Sequence, residues 1–120
     1  MDSELSGRSQ SALRKHEQSY AALKAELEQV GFVLQGSLTE RRMECGKAGC
    51  ICHSDPSERH GPYYQWSWKE GGRTVSVYLD RDRARHCKEW VNNNRRLDRI
   101  VRRMRALSIR AARLYKISKK

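Results

Sequence analysis

Three thiols and an imidazole fall within sixteen residues: Cys45, Cys50, Cys52 and His60, spaced C-x4-C-x-C-x7-H. Thiolates and a neutral imidazole are soft-to-borderline donors, and four of them close a tetrahedral shell around zinc. Such a shell leaves no open coordination position, so the site would be structural rather than catalytic. Gly46 and Gly49 allow the backbone to fold back and point amides at the sulfurs. The spacing departs from the usual C-x2-C pairs. His53 is therefore an alternative fourth ligand, and Cys87 or His86 could enter instead. Unmetallated thiols and an iron–sulfur cluster are the remaining readings. Cys87 by itself is most simply a small buried hydrophobe.

Other chemistry is not supported by the residues. There is no glycine-rich phosphate loop with a Lys-Ser/Thr, no plausible carboxylate pair and no nucleophile elbow. Cys–His catalysis would need one activated thiol, and three clustered thiols favour a metal. Tyr63 and Tyr64 lack the Arg–His constellation of a strand-transfer site. The chain is read as non-enzymatic.

Charge points to a partner. The net charge is +11, but residues 1–40 carry −2 and residues 41–80 only +1. Residues 81–120 hold fifteen basic and three acidic side chains, net +12. A block of this kind suits an anionic polymer, and DNA is favoured over RNA. A membrane surface is disfavoured because the basic stretch lacks a Trp/Phe-rich face. No run of about 18 apolar residues exists that could span a bilayer. The N-terminal Met1–Gly7 is polar and acidic, with no secretory leader, so a cytoplasmic protein with reduced cysteines is expected.

These side chains need elements to position them. Leu13, His16, Tyr20, Leu23, Leu27 and Val30 recur at spacings of three and four, which predicts a helix with a narrow apolar seam. Gly31 is placed to end it. A strand is expected around 37–44 and a loop from Cys45 to Gly61. Glu70-Gly71-Gly72-Arg73 predicts a two-residue hairpin turn. Pairing Glu70 with Arg73 sets Trp68 opposite Val75, Trp66 opposite Val77 and Tyr64 opposite Leu79 on an apolar face. The other face pairs Lys69 with Thr74, Ser67 with Ser76 and Gln65 with Tyr78.

Asp80 is a fitting N-cap for a helix from about 81 to 116, with a break expected near Asn92-Asn93-Asn94. A second seam runs through Leu97, Ile100, Met104, Leu107, Ala111 and Leu114. The two seams could bury each other as an antiparallel pair, within one chain or across a homodimer, or could receive a larger protein partner through helices 9–30 and 81–116. Cys45 would leave a strand end and His60 would enter the hairpin, so a metal would staple the two.

The expected architecture is α+β, in four parts: a flexible N-terminus at 1–8, an N-terminal helix at 9–31, a zinc-knuckle β-sheet at 32–80 and a long basic helix at 81–120. Arg95, Arg96, Arg99, Arg102, Arg103, Arg110 and Arg113 would contact phosphates. Gln65, Lys69, Arg73, Thr74, Ser76 and Tyr78 of the hairpin could meet base edges, since a two-stranded ribbon fits the major groove. Tyr63 or Tyr78 could instead stack on unpaired bases.

The runs Gly36-Ser37-Leu38, Cys45-Gly46-Lys47 with Cys50 and Cys52, and His60-Gly61-Pro62-Tyr63-Tyr64 resemble a family of short prokaryotic proteins that carries a domain of unknown function. Trp68 to Thr74 and Trp90 to Leu97 fit the same pattern, so the resemblance covers about 36–107. It implies a prokaryotic, cytoplasmic protein and leaves room for a link to mobile elements, but implies no activity. A looser architectural resemblance, a tight Gly-turn sheet followed by a helix, is to the arm-binding domains of tyrosine recombinases.

Overall fold

In the computed structural model, which describes residues 5–115, the chain is α+β. The order is α1 (Gly7–Glu28), β1 (Ser37–Met43), β2 (His60–Glu70), β3 (Arg73–Leu79) and α2 (Arg81–Arg113), with short 3-10 turns at Ile51–His53 and Pro56–Glu58. Two compact units result. One holds the sheet and α2 up to Asn94; the other holds α1 and α2 from Arg95.

The sheet is antiparallel in the order β1-β2-β3. The β2–β3 hairpin turns on Gly71 and Gly72, at φ of 57° and 81°. A side chain there would be strained, and glycine is not. Its register runs from Glu70↔Arg73 to Tyr64↔Leu79, pair for pair as the alternation predicts. Strand β1 lies on the other edge of β2, with Ser37 opposite Ser67 and Arg41 opposite Tyr63, and a bulge before Met43↔His60. The apolar face is half-buried at Tyr64, Trp66, Trp68, Val75 and Leu79. Ala84, Cys87 and Val91 of α2 supply the buried residues of this unit's helix. Phe32 meets the edge of Trp90 at 5.1 Å.

Several boundaries differ from the sequence expectation. Ser6 caps α1 by accepting the Ser9 N–H at 3.1 Å. Gly7 and Arg8 are therefore helical rather than part of a flexible tail; residues 1–4 lie outside the described region. Gly31 does not end the helix. Gln29 and Val30 turn their N–H groups onto Glu26 O and Leu27 O, so a tightened last turn satisfies those carbonyls without a left-handed glycine. No break occurs at Asn92-Asn93-Asn94, because α2 is continuous. Asn93 Nδ2 donates to Phe32 O at 2.9 Å, so this amide bonds outside its own helix and does not compete for its hydrogen bonds. Asp80 caps α2 through the Arg83 N–H at 2.8 Å. The expected helical position Lys116 lies outside the described residues.

In the helical unit the two seams meet within one chain. Glu26 lines one concavity with Arg96–Arg103, while Ser19–Leu23 line the next with Arg103–Arg110, so the pair is antiparallel. Leu23 and Ile100 are buried, at 7% and 3% exposure. The other ten seam positions are half-covered. Ile100→Ala is expected to cost about 2–4 kcal/mol in urea unfolding, and Met104→Ala clearly less, because a cavity penalty needs a site that is already enclosed.

Candidate metal centre

The donor atoms of Cys45, Cys50, Cys52 and His60 all lie within 4.8 Å of one another. Each is placed by a distinct local device. Cys45 follows β1, and His60 is the first residue of β2, directly opposite Met43. Cys52 sits in the first 3-10 turn, and Cys50 caps it. Gly61 follows His60 at φ 137°, where a Cβ would meet Arg41 O at 2.8 Å. Only glycine lets the chain pass this close to β1 and still aim His60 at the sulfurs.

Two of the six donor separations match those of a shared tetrahedral ion. Cys52 Sγ is 3.6 Å from Cys45 Sγ, and Cys50 Sγ is 3.5 Å from His60 Nε2. Donors about 2.0–2.3 Å from a tetrahedral centre stand about 3.5–3.8 Å apart. The Cys45 N–H donates to Cys52 Sγ at 3.3 Å, an amide aimed at a sulfur as such sites need.

The thiols are not equivalent. The backbone around Cys52 hydrogen-bonds the Cys50 sulfur most strongly; together with His60 and the neighbouring thiols it draws the Cys50 pKa down to about 6. The Cys45 N–H acts most strongly on Cys52 and favours its thiolate. Burial and the adjacent thiols outweigh it and push Cys52 up to about 11. Cys52 is 1% exposed. One sulfur is thus ready as a ligand at neutral pH, while the enclosed one gives up its proton only to a cation in the cluster.

The alternative ligands lie elsewhere. His53 uses both ring nitrogens, Nδ1 with Glu44 Oε2 at 3.1 Å and Nε2 with Lys47 O at 3.0 Å. It braces the loop and is not in the donor cluster. His86 and Cys87 line an apolar hollow with Leu34, Trp66, Leu79 and Trp90. Burial raises the Cys87 thiol pKa. The four-donor set can hold a metal ion.

The residues expected to touch nucleic acid fall in two places. Gln65, Lys69, Thr74, Ser76 and Tyr78 share one face of the sheet, but Arg73 does not. Its register partner is Glu70, on the apolar face's side of the pleat. Arg95, Arg96, Arg99, Arg102, Arg103, Arg110 and Arg113 belong to α2 in the helical unit. At 100° per residue they span an arc of about 120° beside the seam. Among the described residues, none of the seven has a carboxylate within ion-pair distance.

Sequence reasoning missed Arg41, which stands opposite Tyr63 on the polar sheet face and donates to Gln65 Oε1 at 3.4 Å. It also missed the bracing pair of His53 and Glu44. The stretch Ser37-Leu38-Thr39-Glu40-Arg41 has a single apolar residue, so no alternation signalled which way Arg41 points.

In protein stripped of metal, iodoacetamide at pH 7 is expected to label Cys50 first and Cys52 and Cys87 last, read by peptide mass mapping. Labelling of Cys50 should fall as the pH drops through about 6, where the thiolate is protonated. Equal labelling of Cys50 and Cys52 would contradict this ordering.

No helix among the described residues is long and apolar enough to cross a membrane. No curated protein and no solved structure matches the chain. Helix α1, the three strands, the four-donor loop and the start of α2 lie almost wholly within residues 9–89, the stretch matched by the domain of unknown function DUF6788, and the chain belongs to that family.

Proposed function

We propose that this protein is a zinc-stabilised nucleic-acid-binding module, with DNA its favoured partner. The observation that carries the reading is the arginine stripe of α2. Seven guanidinium groups share one arc, and among the described residues none of them has a carboxylate within ion-pair distance. Arg96, Arg99, Arg102 and Arg103 line a single concavity with Glu26 and Ile100. Like charges held this close repel, and a polyphosphate relieves the repulsion while releasing its own counterions. The stripe would supply affinity and register, since phosphate contacts carry no sequence information.

Zinc is the ion the donor set suits best. Three thiolates and an imidazole are soft-to-borderline ligands, and a full tetrahedral shell calls for no redox chemistry. Four free cysteines fit a reducing compartment, which supports the cytoplasm. An accessory role for a mobile element rests on family resemblance alone.

Half-covered seams support a second reading, a protein-interaction adaptor or homodimer in which the zinc site is purely structural. Sedimentation decides its homodimer form: a single-chain mass at tens of micromolar removes it.

Protein purified without chelator should carry one zinc per chain by native mass spectrometry, and Cys52→Ser should abolish that stoichiometry. Duplex DNA affinity, read by fluorescence anisotropy, should fall steeply with salt. Replacing Arg99 and Arg103 by Ala should flatten the slope of log affinity against log salt by about 2. Affinity that stays flat from low to high salt would sink the phosphate-driven reading.

A further inference from the structure

The polar face of the sheet is a different surface from the arginine stripe, and it is built differently. Successive rows across the strands place Arg41 beside Tyr63, then Thr39, Gln65 and Tyr78, then Ser37, Ser67 and Ser76. Lys69 and Thr74 complete it toward the turn. Within the strands the face has two cations and no carboxylate, since Glu40 and Glu70 have the opposite orientation; Asp80, just past β3, is engaged in capping α2.

Two rings stand out from this face. Tyr63 and Tyr78 are 41% and 60% exposed. Their centroids are 6.5 Å apart and their planes cross at 70°. The opposite face takes the unit's tryptophans, so these tyrosines contribute nothing to the apolar hollow beneath. Large exposed aromatic surface bordered by hydroxyls, an amide and guanidinium marks a place for a planar, hydrogen-bonding, anionic ligand.

We infer that this face is a stacking platform for single-stranded nucleic acid, with Tyr63 and Tyr78 receiving successive bases and Arg41 and Lys69 the flanking phosphates. The inference rests on the nucleic-acid reading above and narrows it. One physical argument selects single strands. A base offers its π-face to a side chain only when it is unstacked from its neighbours, and a duplex keeps both faces covered. From Tyr63 to Lys69 the platform is about 20 Å long at about 3.3 Å per residue, enough to follow several extended nucleotides.

The test uses full-length protein purified without chelator. The probes are a short fluorescein-labelled oligothymidylate, the matching oligouridylate and a duplex of the same length. Anisotropy should show a single strand bound at least tenfold more tightly than the duplex, and the two homopolymers report the sugar preference. Tyr78→Ala should lose about tenfold on the single strand, and Tyr78→Phe should restore it, because stacking needs the ring and not the hydroxyl. Duplex affinity and zinc content should be unchanged in both variants. Tyr78 is exposed, so its removal spares the packed face; circular dichroism checks that the sheet is retained. Duplex binding as tight as single-strand binding, or a Tyr78→Ala variant with wild-type affinity, would overturn the platform while leaving the arginine reading intact. Absence of binding to every probe would overturn both.

Discussion

Four donors converge within 4.8 Å at the point where the chain leaves β1 and enters β2. Cys52 is the most enclosed side chain described, and its neighbours include the Cys45 sulfur and backbone amide. The connection between β1 and β2, residues 44–59, contains no strand and only two 3-10 turns. A loop of this length normally leaves its ends poorly fixed. Convergence of its first residues with His60 fixes them, which in turn holds β1 against β2 and sets the width of the sheet. The third strand extends the polar and apolar faces that alternation in β2 and β3 already sets.

The division of labour between the two units is also visible in their chemistry. The sheet unit holds all four cysteines and every tryptophan, whereas the helical unit holds the seven-arginine stripe of α2. Among the described residues of the latter, only Leu23 and Ile100 are buried. Burying one such side chain contributes about 2 kcal/mol, so electrostatic strain among clustered arginines is not negligible beside it. That electrostatic cost is the physical ground for proposing a polyanionic partner for the stripe.

Legibility in the sequence varied with the physics of each element. The β2–β3 register was readable because two constraints agreed: a Gly-Gly turn and strict alternation on both strands. The donor set was readable because few residues can serve, although the choice among histidines needed geometry. His53 is engaged with Glu44 and Lys47, a fact that spacing does not encode. Strand β1 was found, but its orientation was not, since a single leucine in Ser37–Arg41 gives no period. The asparagine run misled because its helix-breaking tendency is local, while Asn93 finds its partner sixty-one residues away at Phe32. Whether the seams pair within a chain or between chains has no signature in a heptad pattern.

The central position of β2 has one more implication. Its partner on one side arrives through a two-residue turn, and its partner on the other through residues 44–59. Loop-closure entropy favours the first pairing, so the hairpin forms early and β1 docks late. Until it does, β2 presents an unpaired edge of eleven residues containing Tyr63, Tyr64, Trp66 and Trp68. Such an edge is a template for another copy of the same strand. A metal held by the donor cluster, by closing the loop, would therefore also shorten the time for which that edge stands open.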